Sequence, residues 1–358
     1  MIGNTMPKQW NCAVVGCGTV GQTHVRVIPH LPNARLVAVC DVNPERATGA
    51  LLKANQPGVP MYQEMSEMLA REEIDVVHLA TPSGMHCQGT MLAMEHGKHV
   101  ICEKPIEIQL DLIDQMIATS AKTGMRLATI YQNRYADANR AIKSAVAEGR
   151  FGKLAWAGVF TPWYRPDKYY TDTNWRGTWK LDGGGAIMNQ SVHSVDLLQW
   201  IVGPVKSVSA YASSRIHPTI EAEDTCSCSL EFENGAYGTI MGSTGMYPGL
   251  PARLEIGGEH GCAVQENGLK FFKFRQEHPE DAELLASLAP NPAVSPGVAA
   301  NAAATGNDLH TRNLSAIFSA WDDGRDAETD APESRKAVAI IQAIYESVRA
   351  GGAAVGVK

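Results

Sequence analysis

Three side chains stand where chemistry can be done. Lys104 follows the apolar run His99-Val-Ile-Cys102 and sits between Glu103 and Pro105. Proline fixes its own φ and biases the residue before it toward extended backbone, so this lysine is aimed and does not trail on a loose loop. An ammonium held at a strand end can steady an alkoxide as it forms. His193 follows Asp182-Gly-Gly-Gly185 on a stretch whose apolar residues, Met188, Val192, Val195 and Val202, recur at helical spacing. Asn189, Asp196 and Trp200 share the adjacent face with it. Imidazole exchanges a proton near neutral pH, which makes His193 the candidate general base. Asn189, one turn earlier, has no titratable proton and is expected to orient the ring without relaying. The third is Asp41, a carboxylate at the end of Arg35-Leu-Val-Ala-Val-Cys40. In isolation each has a plainer role: a surface lysine, a packed helical histidine, a turn aspartate. Their surroundings decide otherwise.

The elements that must position them begin with Asn11-Cys-Ala-Val-Val15, then Gly16-Cys-Gly-Thr-Val-Gly21, then a helical pattern from Gln22 to about Leu31. This is G-x-G-x-x-G between a strand and a helix. Gly16 allows the tight turn, Gly18 lets backbone approach a pyrophosphate, and Gly21 lets helix and strand pack closely. The anion would sit on the helix N-terminus, among free N–H groups. Asp41 lies about 20 residues past the last glycine, where the ribose-binding acid belongs. A carboxylate there accepts from both ribose hydroxyls and repels a 2′-phosphate, so NAD is expected over NADP. Arg46 nearby softens that preference.

Alternation continues. Helical patterns at 44–55, 66–71 (with Ser66 as cap), 85–96 and 110–123 separate strand-like runs at 75–80, 98–102 and 126–130. Strands spaced by helices imply a parallel, doubly wound sheet whose ligand lies beyond the carboxyl ends of the strands. Thr81-Pro82 with His86, Glu103-Lys-Pro105 and Gln132-Asn-Arg134 all fall at such ends.

After a helix from Asp137 to about Glu148 the texture changes. Runs at 153–160, 205–212, 225–232, 236–243, 253–257 and 262–274 read as strands, with turns such as Glu233-Asn-Gly235 between them. Without crossover helices these form a mostly antiparallel open sheet, hence an α+β second domain. The stretch 280–307, rich in Ala and Pro, reads as an irregular excursion, and 309–321 and 333–350 as closing helices.

Composition narrows the class. The chain has 358 residues, enough for two domains. With 44% hydrophobic and 19% charged residues it reads as a soluble globular protein. A formal net charge of -7 and no basic run argue against nucleic acid. No apolar run reaches the roughly 18 residues of a membrane span, and Met1–Trp10 lacks a signal-peptide core. The eight cysteines are scattered with no zinc-site spacing, so no metal and a reducing, cytoplasmic setting are expected.

Taken together, Gly16-x-Gly18-x-x-Gly21, Asp41, Thr81-Pro82 with His86, Gly97-Lys-His-Val-x-Cys-Glu-Lys-Pro105 and Gly183-Gly-Gly185 leading to His193 and Asp196 resemble the glucose–fructose oxidoreductase / inositol dehydrogenase (Gfo/Idh/MocA) family. The resemblance covers nearly the whole chain. It implies a Rossmann domain over 1–134, an α+β substrate and oligomerisation domain over 135–358 whose closing helices pack back on the first domain, and NAD(P)-linked oxidation of a sugar or cyclitol hydroxyl. Lys104 and His193 are then the catalytic pair. Gly16, Gly18, Thr19, Val20, Gly21, Asp41, Thr81, Pro82, His86, Glu103, Lys104, Gln132, Trp175 and Arg176 are expected to bind cofactor. Lys104, Arg134, Tyr164, Arg165, Asp182, Asn189 and His193 are expected to bind substrate. Family members often carry aspartate one turn before the histidine; Asn189 departs from that. The Asn189-Gln-x-x-His-x-x-Asp196-Leu-Leu-Gln-Trp200 version is similar to members acting on sugar C3, nucleotide sugars included. Trp163, Tyr164, Arg165, Tyr169, Tyr170, Trp175 and Arg176 suit sugar rings and anionic groups, or equally a packed aromatic lid. A homo-oligomer, dimer or tetramer, through the second sheet is expected. The competing readings are an NAD-recycling glycoside-cleaving enzyme and a non-catalytic dinucleotide sensor.

Titration with both cofactors tests the role of Asp41. NAD should bind more tightly than NADP, and Asp41→Ala should narrow the gap by removing both the ribose contact and the repulsion. Equal or tighter NADP binding by the wild type would refute it.

Overall fold

The computed structural model describes residues 8–290 and 308–358. Its elements in chain order are β1 (Trp10–Val15), α1 (Thr19–Val27), β2 (Ala34–Cys40), α2 (Pro44–Lys53), β3 (Met61–Tyr62), α3 (Met65–Arg71), β4 (Val76–Leu79), α4 (His86–Glu95), β5 (His99–Cys102), α5 (Leu110–Thr123), β6 (Leu127–Thr129), α6 (Asp137–Ala147) and β7 (Leu154–Pro162). There follow α7 (Lys168–Thr171), a π-helical turn (Ala186–Ser191), α8 (Val192–Val202), β8 (Val205–Ser213), β9 (Thr225–Phe232), β10 (Tyr237–Ser243), β11 (Arg253–Gly258), β12 (Gly261–Glu266), β13 (Leu269–Phe274), α9 (Glu280–Ser287), α10 (Asp308–Asp322), α11 (Ala331–Arg349) and β14 (Val355–Gly356). The chain divides into two compact units, one formed from Met1–Gln132 with Asn307–Ser334, the other from Asn133–Gly306 with Arg335–Lys358.

The first unit holds a six-stranded parallel sheet in the order β3-β2-β1-β4-β5-β6. Its central strands are apolar on both sides because helices cover both faces; β4 is buried at every position. Sequence neighbours part between β1 and β4, which opens the crevice at their carboxyl ends. Pro44 opens α2, and Asn43 caps it by accepting the Glu45 N–H at 2.9 Å. The expected cap Ser66 lies inside α3; Glu64 precedes that helix and gives no side-chain cap. β3, two residues long, is too short for periodicity to reveal. α10 belongs to this unit, where Leu314, Ile317, Phe318 and Trp321 join Trp10, Val25 and Ile101 in one core. The Trp10 and Phe318 rings stack at 5.9 Å.

The second unit is built on an eight-stranded sheet, β13-β12-β11-β7-β10-β9-β8-β14, antiparallel except for the parallel pair β7/β10. The run 262–274, expected as one strand, is the hairpin β12/β13. Asn267 and Gly268 both take positive φ, 53° and 144°, which an Asn-Gly hairpin turn permits. Of the expected excursion 280–307, Glu280–Ser287 is helical and residues 291–307 lie outside those described.

α8 is buried along its whole length apart from His193. Its Asp196 accepts from Arg134 Nε at 2.7 Å and Nη2 at 2.5 Å, in a fork of two parallel bonds. Arg134 is 0% exposed and Asp196 1%. The expectation that Arg134 contacts substrate is therefore corrected: its guanidinium is spent inside the unit, pinning the segment before α6 to α8. Removing one partner of such a pair strands a buried charge and typically costs about 3–5 kcal/mol, whereas an apolar pair of similar volume costs little. Asp196→Ala should lower the midpoint of chemical denaturation far more than Arg134→Met with Asp196→Leu. Equal losses in the two would show that the pair carries no special weight.

Candidate active site

The glycine turn of the first unit is shaped by what surrounds each glycine. Gly16 has φ of 90°, and a Cβ there would lie 2.5 Å from the Ala80 carbonyl oxygen. A Cβ on Gly21 would lie 1.8 Å from the Gly16 carbonyl oxygen, so α1 packs on the turn only without one. Gly18 meets nothing within 4 Å. That open side, followed by a helix whose first turn has no side-chain cap, is a cradle for an anion. Asp41 closes it. Its Oδ2 accepts from Cys17 N at 2.7 Å and its Oδ1 from Asn43 N at 2.8 Å. The plain turn role of Asp41 is thus real, and each oxygen keeps a lone pair for a hydroxyl donor. An open backbone cradle, unclaimed helix N–H groups and a fixed acceptor fit a dinucleotide.

Thr81-Pro82, Lys104 and Gln132 follow β4, β5 and β6 at the same edge of the sheet. Thr81 Oγ1 is buried there without a hydrogen-bond partner among the described residues. Two expected cofactor contacts prove to be internal. His86 is buried between two turns, its Nδ1 2.9 Å from the Pro105 carbonyl and its Nε2 3.0 Å from that of Thr81. Burial pushes its pKa down despite these acceptors. It is a strut between the Thr81-Pro82 and Lys104-Pro105 turns. Glu103 also turns inward: Oε1 is 2.9 Å from His24 Nε2 and Oε2 accepts the Lys104 N–H at 3.2 Å.

Behind Glu103 lies a chain of histidines that sequence reading missed. His24 Nδ1 stands 3.0 Å from His78 Nδ1, and His310 Nε2 lies 3.9 Å from Glu103 Oε1. Burial works to raise the Glu103 pKa, but the His24 hydrogen bond and the neighbouring His24, His310 and Lys104 charges prevail and hold it at about 2. Burial, then the nearness of His24, keeps His78 well below the ordinary histidine range, and burial takes His310 to about 4. Two nitrogens facing each other need one proton between them, so the contact couples the tautomers of His24 and His78. Lys104 therefore stands on a turn whose carboxylate is ionised and anchored to α1.

In the second unit the Asp182-Gly-Gly-Gly185 turn leads into the π-helical segment, and α8 starts only at Val192. Asn189 and His193 thus straddle a π-to-α junction, a distortion common at functional sites. Asn189 Nδ2 donates to Asp182 Oδ1, and Asp182 Oδ2 accepts from Gly177 N at 2.8 Å. The carboxylate that the family often places one turn before the histidine is replaced here by an amide hydrogen-bonded to Asp182. Gln190, not singled out from sequence, joins the halves of the network. Its Nε2 donates to Asn189 Oδ1 at 2.6 Å and to Tyr169 Oη at 2.8 Å. Its Oε1 accepts from Arg165 Nε at 3.1 Å and Nη2 at 2.8 Å. The one sequence signal for Gln190 is its place between Asn189 and His193.

Arg165 and Arg176 both pack on Tyr169, their guanidinium carbons 5.3 Å and 4.1 Å from its ring centroid. Trp175 lies 5.6 Å from Arg176. Burial depresses the Arg165 pKa. Arg176 Nη1 donates to the Tyr169 carbonyl at 3.1 Å, while its buried Nε has no partner among the described residues. Tyr164 bridges to Gly245 and meets Tyr247 edge-on at 5.2 Å. Among the described residues no cluster of histidine, cysteine or carboxylate groups is arranged to hold a metal, and Cys226 and Cys228 are buried free thiols.

Residues 10–131 match the model of the oxidoreductase family with an NAD-binding Rossmann fold, and residues 139–264 that of the GFO/IDH/MocA C-terminal domain. Over 98% of its length the chain is similar in structure to the WlbA dehydrogenase from Bordetella pertussis, solved in complex with NADH and UDP-GlcNAcA, at a TM-score of 0.88 and 32% identity over 98% of that chain. The WlbA dehydrogenase from Chromobacterium violaceum, in the same kind of complex, gives a TM-score of 0.87 at 30% identity, covering 99% of this chain and 97% of that one. Inositol 2-dehydrogenase from Burkholderia multivorans is 26% identical over 255 residues, 70% of this chain and 72% of that protein. The motifs, the two sheets and these matches agree: the chain is an NAD-binding dehydrogenase of the GFO/IDH/MocA oxidoreductase family.

Proposed function

We propose that this dehydrogenase oxidises a secondary hydroxyl of an anionic sugar derivative, a nucleotide sugar oxidised at C3. The arginine pair carries this reading. Arg165 and Arg176 are half-buried cations that both pack on the Tyr169 ring, in the unit that holds His193, close enough for the Arg176 charge to act on Arg165, and Arg176 forms no ion pair among the described residues. Keeping two guanidinium groups close together is unfavourable unless a ligand brings negative charge, and their planar forks suit phosphate or carboxylate. The UDP-GlcNAcA held by the two WlbA dehydrogenases supports the same substrate class.

The roles follow from the chemistry of each group. Bound NAD supplies the hydride acceptor at the nicotinamide. The Gly16–Gly21 turn holds the pyrophosphate, Asp41 the ribose, and Thr81, Pro82 and Gln132 line the path toward the reactive end. His193 takes the hydroxyl proton, and Lys104 donates a hydrogen bond to the developing alkoxide. Asn189, drawn toward Asp182, orients the histidine side of the turn and relays no proton. Arg165, Arg176 and Tyr164 hold the anionic portion and the sugar. We also assign the open face of the second sheet, which exposes Tyr211, Tyr237 and Phe271, to a second copy of the chain.

A panel of UDP-sugars, their uronic acids and free inositols, followed by NADH absorbance, tests the substrate class. Turnover is expected with the anionic nucleotide sugars; activity confined to neutral cyclitols would overturn the reading. A tightly held NAD that is never released as NADH would favour the cofactor-recycling alternative. Lys104→Met keeps the apolar stem and removes the charge. It should cost about 10²–10³ in turnover, roughly 3–4 kcal/mol, and leave NAD affinity nearly unchanged. Near-wild-type turnover would remove Lys104 from the chemistry, and lost NAD binding would make it a cofactor clamp.

A further inference from the structure

We propose that Glu223 is a positioning residue for the Asn189–His193 turn: a buried carboxylate that caps the π-helical segment from outside and sets where the helix bearing His193 begins. This rests on the assignment of His193 as proton acceptor. The residue at the start of the π-helical turn, Gly185, has no side chain to offer as a cap. The donors at that end are met by Glu223, far away in sequence. Its carboxylate accepts from Ile187 N at 2.8 Å and from Gly185 N at 3.1 Å, and its backbone carbonyl accepts from Ala186 N at 2.9 Å. Tyr345 Oη, from α11, donates to the same carboxylate at 3.0 Å. Glu223 is only 4% exposed.

The glycines fit this reading. A Cβ on Gly185 would lie 1.9 Å from the Glu223 carbonyl oxygen, and one on Gly184 would lie 2.0 Å from Tyr345 Oη. Two of the three glycines therefore exist so that Glu223 and Tyr345 can touch the turn. An anion at this end also complements the aligned peptide dipoles of the segment that follows. Nothing in this arrangement reaches substrate, so Glu223 acts through Asn189 and His193.

The same geometry ties the cap to pH. The groups facing the carboxylate are the backbone donors of the turn, Tyr345 from α11 and Cys226 from β9. Burial raises the Cys226 thiol far above neutrality, so it stays uncharged. Burial also raises Glu223, against the donors that pull it down, to about 7. Above that pH the carboxylate is ionised and can accept from every donor around it. Below it, one oxygen carries a proton that only Tyr345 Oη, by turning from donor to acceptor, can accommodate. The cap is therefore complete on the alkaline side and weakened on the acid side.

The test uses the full chain with NAD and UDP-GlcNAcA, the nucleotide sugar held by the WlbA dehydrogenases, or the panel member that turns over fastest. Glu223→Gln keeps the shape but loses acceptor capacity. It should lower kcat roughly 10–100-fold with KM and NAD affinity little changed, because a small misplacement of the base is enough. Tyr345→Phe removes one donor to the anion and should move the acid limb of the kcat profile upward by roughly one pH unit. In the Glu223→Gln background the same change should leave the limb in place, which a merely structural role for either residue would not produce. His193→Ala separates the two levels. If His193→Ala is inactive while Glu223→Gln, or Tyr345→Phe where the glutamine variant fails to fold, keeps the wild-type kcat and limb, the capping role is overturned and the functional reading stands. If His193→Ala is fully active, both fall.

Discussion

Burying a carboxylate is costly unless donors match its oxygens. This chain buries one at each turn that bears a candidate site residue. Asp41 gathers the N–H groups of Cys17 and Asn43 and so fixes the glycine turn against the end of β2. Glu103 gathers His24 and the Lys104 amide and ties the lysine turn to α1. Asp182 and Glu223 gather Gly177, Asn189, the backbone at 185 and 187, and Tyr345. Asp41, Glu103 and Glu223 each take a donor or partner from a distant segment, at Cys17, His24 and Tyr345, so these turns cannot shift without leaving a buried carboxyl group unmatched. Rigid placement of candidate catalytic groups follows from this requirement.

The backbone meets the anions halfway. Gly16, Gly21, Gly184 and Gly185 each lie where a Cβ would come within 2.5 Å or less of a neighbouring atom, while Gly18 faces open space. The first four serve internal packing and the fifth leaves open space beside the turn. That division separates the glycines that hold the fold from the one that leaves room for a cofactor. The same contrast appears among the cations. Arg134 is wholly enclosed with Asp196, whereas Arg176 is half-buried on Tyr169 with no carboxylate beside it among the described residues. One guanidinium belongs to the architecture, and the other keeps a buried Nε without a partner among the described residues.

The buried histidines of the first unit share a logic. His78 and His86 are held neutral chiefly by burial, and His310 stays uncharged down to about pH 4 for the same reason. With these rings neutral at physiological pH, the ionised Glu103 keeps a fixed set of partners beneath Lys104. In the second unit, His193 is the one ring of α8 that reaches the surface of a buried helix.

Local order was legible in the sequence because it has local causes. The strand–glycine turn–helix unit, the acid about 20 residues on, the alternation of strands with helices and the switch to uninterrupted strands follow from side-chain periodicity and turn chemistry over short windows. So did the positions of Lys104 at a strand end and His193 on a helix. The tertiary structure alone decided which distant groups meet. Arg134 and Asp196 are 62 positions apart, His24 and Glu103 79, and Glu223 and Tyr345 122. Sequence reading sent Arg134, Glu103 and His86 toward ligands because a polar residue beside a binding edge looks the same whether it points outward or in. It placed Asn189 and His193 on a regular helix because a π-helical turn leaves no mark in the apolar spacing. The run 262–274 folded into a hairpin because strand partners are chosen by topology, which periodicity along the chain does not encode.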